Sequence, residues 1–142
     1  MQVFIAGIMQ GSRKDRYIDD QDYRKIISET LAEQRADLEI VDPNELHPNG
    51  VDYDDALAKA TLLEMADLAS RVDLAVAYLP QASMGTALEM WKAFEAGVPL
   101  VTISPMADNW VIKHLSSVVL PDLDAFGKWV ADGGFDKLLN LD

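Results

Sequence analysis

"VDLAVAYLPQASMGTALEMWKAFEAGVPLVTISP", residues 72–105, decides the fold. It opens on an apolar run, "VDLAVAYLP", that Pro80 halts. A short polar loop carrying Ser83 and Gly85 follows, then a helix-like segment through Glu95. Gly97 stands where helices commonly end in a left-handed residue. A second apolar run, "VPLVTISP" (98–105), closes the stretch. Strands with one wet face alternate apolar and polar residues, whereas these two are continuous, as in strands covered on both faces. Strand, helix and strand in that order are the repeating unit of a parallel sheet.

The flanking sequence repeats the unit. Toward the N-terminus, "ALAKATLLEMADLASR" (56–71) predicts a helix and "NELHPNGVDYDD" (44–55) a loop rich in turn formers. "ADLEIVDP" (36–43) reads as a strand stopped by Pro43. "RKIISETLAEQ" (24–34) spaces Ile26, Ile27 and Leu31 as a helix, and "QVFIAG" (2–7) is the first strand. Toward the C-terminus come a short helix "NWVIKHLSS" (109–117), a strand "VVL" (118–120) and a helix "PDLDAFGKWVADG" (121–133) started by Pro121. The tail "FDKLLNLD" (135–142) adds a turn of helix. The expectation is one domain over residues 1–142, an α/β three-layer, doubly wound parallel sheet of about five strands, flavodoxin-like in strand order.

Composition narrows the function. The chain has 142 residues, 49% of them apolar, and a net charge of −12. Phosphate backbones need clustered Lys and Arg, so no nucleic-acid partner is expected, nor an anionic membrane surface. A small phosphorylated ligand needs only local N–H groups and one or two cations. There is no cysteine, and His47 and His114 stand far apart, so neither a disulfide framework nor a metal site is expected. No cofactor is implied. With no signal-like or membrane-length apolar run, the expected location is the cytoplasm.

In a flavodoxin-like sheet a ligand sits beyond the carboxyl ends of the strands, where strand order reverses. That places the loops "AGIMQGSRKDR" (6–16) and "PQASMGT" (80–86) at the pocket. Gly7 and Gly11 let backbone N–H groups approach a ligand, with Met9 and Gln10 between them, and Arg13 offers a forked contact to an anion. The loop has neither the P-loop ending nor the third glycine of a dinucleotide site. In the second loop, Thr86-x-x-Glu89 reads in two ways. It is a capping box at a helix start, or it presents an ionised carboxylate, favoured by the helix dipole, as a nucleophile. Asp42, Glu45 and His47 read as an irregular loop, Trp110 as a packing or stacking aromatic, and Phe126 with Trp129 as core.

Two segments together resemble the nucleoside 2-deoxyribosyltransferase superfamily, above all its deoxynucleoside 5'-monophosphate N-glycosidase branch. In "VFIAGIMQGSRKDR", Gly7, Gly11, Arg13, Asp15 and Arg16 fall on the branch's Gly-x-Arg-x-Asp-Arg region. In residues 72–105, Asp73 leads the strand and Ser83, Gly85 and Glu89 fall on a Ser/Asp-x-Gly-x-x-x-Glu loop. The resemblance implies that Glu89 attacks C1' of a 2'-deoxyribosyl group and displaces the base. A covalent glycosyl-enzyme then passes to water or to a second base. It implies that the first loop and Ser83 hold a 5'-phosphate, and that Asn109, Lys113 or His114 completes a neighbouring subunit's pocket in a homodimer or higher homo-oligomer. Counting back from Asp73 puts the family's second acid at Met65, so the acid is expected from Glu64 or Asp67 beside it. Phe4 replaces the family's usual Tyr, and Gln10 an Arg. Phe4 and Met65 favour the alternative, a non-catalytic nucleotide-binding or sensing domain that keeps the pocket, while Gln10 bears on phosphate recognition. A structural or interaction domain in which Thr86–Glu89 only caps a helix is the third reading.

Overall fold

Five apolar runs become one parallel sheet: β1 (Gln2–Gly7), β2 (Glu39–Val41), β3 (Leu74–Tyr78), β4 (Leu100–Ile103) and β5 (Val118–Leu120), in the order β2-β1-β3-β4-β5. The computed structural model describes residues 1–11, 13–15 and 18–141. Among these residues seven α-helices accompany the strands: α1 (Asp22–Gln34), α2 (Pro43–Leu46), α3 (Asp55–Ala69), α4 (Met84–Glu95), α5 (Trp110–Leu115), α6 (Leu123–Ala131) and α7 (Gly134–Leu138). The expected doubly wound α/β architecture with five strands is the one observed.

Alternation along each strand divides the core in two. Val3 and Ile5 of β1 point to α1, α6 and α7, where Ile27, Leu31, Phe126 and Phe135 close the layer. Phe4 and Ala6 point the other way, to Ala69 of α3, Met90 and Ala93 of α4 and Ile112 of α5. Side chains on both faces of β1, β3 and β4 are almost wholly buried, which is why these strands read as unbroken apolar runs.

The differences from the expected elements lie at caps. Pro43 does not merely stop β2. It is the first residue of α2, and the Asp42 carboxylate accepts from the Asn44 N–H at 2.9 Å to cap that helix. The segment 44–55 therefore holds α2 and a 3₁₀ turn, Gly50–Asp52, rather than loop alone. Asp122, not Pro121, caps α6, accepting from Ala125 N–H at 2.8 Å. Asp73 accepts from the Gln2 N–H at 2.8 Å, so the acid that leads β3 ties down the start of β1. That contact lies at the end of the sheet opposite the carboxyl ends of the strands. The strand order reverses between β1 and β3, and this crevice is where such a sheet takes a ligand.

Candidate functional site

The helix that follows β3 starts with a different cap from the one its sequence suggests. Ser83 is the N-cap: its hydroxyl oxygen accepts from the Thr86 N–H at 3.3 Å and from the Thr86 hydroxyl at 2.9 Å. Thr86 is thus the buried third residue of the helix, and Glu89 lies in its second turn. The expected Thr86–Glu89 capping box does not form, because Ser83 already supplies the cap. Released from capping, Glu89 turns toward the crevice. Among the described residues no hydrogen bond or ion pair engages its carboxylate.

Glu89 lines a cleft of about 370 Å³ at the carboxyl ends of β1 and β3. The floor and one wall come from Gly7, Met9, Gln10 and Gly11 of the first loop; the first turn of α4 adds Ser83, Met84, Gly85 and Thr86. The N–H groups of that turn have no partner inside the helix and carry its positive dipole end. Leu62 and Met65 of α3, Val51 of the 3₁₀ turn and Tyr53 add an apolar wall, with Thr61 of α3 beside them. A cleft lined by both polar and apolar groups suits an amphiphilic small molecule.

Burial pushes the Glu89 carboxyl up to about 8; the nearby Arg24 cation opposes the shift and the Asp42 charge adds to it. The expected dipole-favoured carboxylate is therefore corrected. Glu89 lies beyond the first turn, where the dipole has faded, and desolvation wins. Arg24 is a buried guanidinium on α1 that donates to Asp42 at 2.9 Å, to the Ile5 carbonyl at 3.0 Å and to Gln21 at 2.7 Å. It pins the end of β1 to the start of α2, and Asp42 takes most of its charge. Truncating one partner of such a pair leaves a buried charge uncompensated, at a cost of about 3–5 kcal/mol.

Gly7 is glycine because of Tyr23. A Cβ at position 7 would stand 2.2 Å from the Tyr23 hydroxyl, which donates to the Ile8 carbonyl at 3.0 Å. Burial raises the Tyr23 phenol above its ordinary range, so it remains a neutral donor. Gly11 is left-handed, with φ of 57°, and Gln81 beside it donates to Asp19 at 3.1 Å. That bond links the first loop to the loop after β3. Gly85 has open space where its Cβ would be.

Of the residues expected at the site, Gly7, Met9, Gln10, Gly11, Ser83, Gly85 and Glu89 all line the cleft. Arg13 does not. It is exposed and pairs with Asp15 at 3.0 Å and Asp19 at 3.3 Å. Asn109 is spent capping α5, accepting from Val111 N–H at 3.0 Å. Neither candidate second acid reaches the cleft: Asp67 pairs with Arg71, and the exposed Glu64 lies 3.8 Å from His47. Met65 takes the inward place between them. Ser12 and Arg16 lie outside the described residues.

Sequence reading missed Tyr23, Arg24 and Tyr53. For the first two a signal existed. Ile27 and Leu31 mark the inner stripe of α1, and stepping back three or four residues reaches Arg24 and Tyr23. Ile26, chosen for the same stripe, is 44% exposed. Tyr53 carried no such signal, since it enters the cleft from an irregular segment.

No family model and no curated protein matches the chain. Among solved structures, it is similar over 89% of its length, and 90% of the other chain, to a 2-deoxyribosyltransferase from Bacillus psychrosaccharolyticus, with TM-score 0.65 and 13% identity. A conserved protein from Enterococcus faecalis V583 matches with TM-score 0.56 and 19% identity, over 94% of this chain and 98% of that one. The Clostridium botulinum CMP N-glycosidase BcmB matches with TM-score 0.53 and 16% identity, over 92% and 98%. The chain thus shares the fold of proteins of the nucleoside 2-deoxyribosyltransferase type along nearly its whole length. At these identities, the likeness establishes architecture.

Proposed function

We propose that the chain is an enzyme that cleaves the N-glycosidic bond of a 2'-deoxynucleoside or its 5'-monophosphate, with Glu89 as nucleophile. The observation that carries this is the Glu89 carboxyl, free of any partner among the described residues, in the cleft at the β1/β3 crossover. Its shifted titration supports the reading, since groups tuned toward neutrality mark reactive sites. Structural likeness to a 2-deoxyribosyltransferase and a CMP N-glycosidase adds weight.

In this reading the sugar lies over the backbone of Gly7 and Gly11. A 5'-phosphate sits at the first turn of α4, against backbone N–H groups and near Ser83. The base lies along Leu62, Met65 and Tyr53. The ionised Glu89 forms a bond to C1' as the C1'–N bond breaks, through an oxocarbenium-like transition state. Water then attacks C1' and releases Glu89, or a second base takes the sugar; hydrolysis is the favoured outcome. Incubation with deoxynucleosides and their 5'-monophosphates is expected to release free base with wild type and none with Glu89→Ala. Base release undiminished by that substitution overturns the proposal.

One observation favours a second reading, a nucleotide-binding domain without chemistry: Met65 stands in the cleft while Glu64 and Asp67 are engaged outside it. Ligand-induced stabilisation with no free base would establish it. In either case we expect a homodimer. Met84, Leu88 and Trp91 recur on one stripe of α4, and Trp110 and Val111 of α5 are also exposed, apolar side chains of the kind that interfaces cover. Sedimentation equilibrium is expected to show a dimer that Trp91→Glu dissociates.

A further inference from the structure

A departing base carries the electron pair of its glycosidic bond and needs a proton. Glu89, as nucleophile, is committed to C1'. No other carboxyl lines the cleft among the described residues. Of the hydroxyls that do, those of Ser83 and Thr86 are bonded to each other at the start of α4, and that of Thr61 is an aliphatic alcohol, a far weaker acid than a phenol. Tyr53 is different. Its phenol lines the apolar wall, where the base would lie, and its hydroxyl stands 2.8 Å from Nδ1 of His47. The two rings meet edge to face, with centroids 5.6 Å apart. Nε2 of His47 faces Glu64 at 3.8 Å, one residue before Met65 on α3. A proton source with a carboxylate behind it therefore stands beside the base wall, outside the elements that hold Glu89.

Resting on the cleavage reading above, we infer that Tyr53 is the catalytic acid for the departing base and that His47 is its positioning partner. As the C1'–N bond breaks, its electron pair stays on the base nitrogen, which takes the Tyr53 O–H proton. The Tyr53 oxygen, now anionic, is held by Nδ1–H of His47. Glu89 meanwhile has bonded to C1'. When water attacks C1', the bond to Glu89 breaks and the water's proton returns to the Tyr53 oxygen. Glu64 stands on the Nε2 side of the ring. The sum is nucleoside plus water giving base and free sugar, with no proton left over.

The test compares two leaving groups on one sugar. One is the base of the best-cleaved deoxynucleotide; the other is 4-nitrophenolate, which departs as an anion and needs no acid. Tyr53→Phe removes one oxygen and leaves the ring, and equal melting temperatures establish that it folds. It is expected to lower kcat on the nucleotide by roughly 10²-fold, a usual share for an acid catalyst, with less than about a threefold change on the nitrophenyl substrate. His47→Gln is expected to reproduce the same selectivity more weakly, and Glu89→Ala to abolish both reactions. If Tyr53→Phe slows both substrates equally, or neither, while wild type cleaves both, the Tyr53 role is overturned and the cleavage reading stands. If wild type cleaves neither, both fall.

Discussion

The two faces of the sheet are built to different ends. On the α1, α6 and α7 side, Ile27, Leu31, Phe126, Val130 and Phe135 are buried almost completely, and the layer is closed. On the α3, α4 and α5 side only the floor is closed, by Phe4, Met90 and Ile112. Leu57, Leu62 and Leu63 of α3 are about half exposed, and Met84 at the head of α4 is 83% exposed. The open cleft and the bare apolar stripe are both on this side. The difference teaches that stability and function have been separated across one sheet. The first face supplies burial, and the second gives some up to keep space for a ligand and a covering partner.

The same contrast appears between two carboxylates close to one arginine. Asp42 is buried, bonded to Arg24 and to a helix N–H. Glu89 has no such partner, and burial pushes its carboxyl up to about 8. The sharpest way to break this comparison is Glu89→Gln, which is expected to lower base release by ~10⁴-fold or more, the scale of losing a nucleophile. Its stability effect has a worked sign. The folded chain holds the Glu89 proton up to about pH 8, whereas the unfolded chain releases it near 4.5. Wild-type stability therefore falls as pH rises across that window, and Glu89→Gln removes the decline. Between pH 5 and pH 9 wild type is expected to lose roughly 4 kcal/mol of stability that the variant keeps, read from denaturant melts at the two pH values. In wild type, kcat/KM is expected to climb with pH through about 8, as the free enzyme's carboxyl ionises.

Next in size is Arg24→Met. Leaving Asp42 buried and alone is expected to cost about 3–5 kcal/mol in urea unfolding. A cost below about 1 kcal/mol would show that the pair is not the clamp between β1 and α2. Gly7→Ala tests the closed face from the cleft side. It drives a methyl into the Tyr23 hydroxyl and is expected to cost about 1–3 kcal/mol through displaced packing. The smallest effect is expected from Gly85→Ala. Its Cβ meets open space, so stability should change by no more than about 1 kcal/mol, and in the favourable direction. The methyl enters the cleft, however, so KM for a monophosphate should rise. Unchanged KM would place the phosphate away from the head of α4.

Much of this was legible in the linear chain. Continuous apolar runs at 2–7, 72–80 and 98–105 announced a doubly covered parallel sheet, because strands buried on both faces have no polar alternation to show. Glycines 7, 11 and 85 marked the places where backbone meets cleft, since absence of a side chain is itself readable. Arg24 was not legible as a buried ion, because a charge in an amphipathic helix reads as solvated until its partner is known. Asp42 lies eighteen residues away on a different element. The cap was misread for a related reason. Thr86 and Glu89 have the spacing of a capping box, but Ser83 is three residues earlier and competes for the same N–H.

The order of residues by itself determined the layers, the parallel sheet and which loops gather at its carboxyl edge, because local periodicity and chain connectivity fix these. Only the tertiary structure decided what each side chain there is worth. It gave Asp42 a guanidinium, left Glu89 without one, and set Tyr53 against His47 across an irregular turn. Charge state and reach depend on desolvation and on partners distant in sequence, and neither is carried by spacing along the chain.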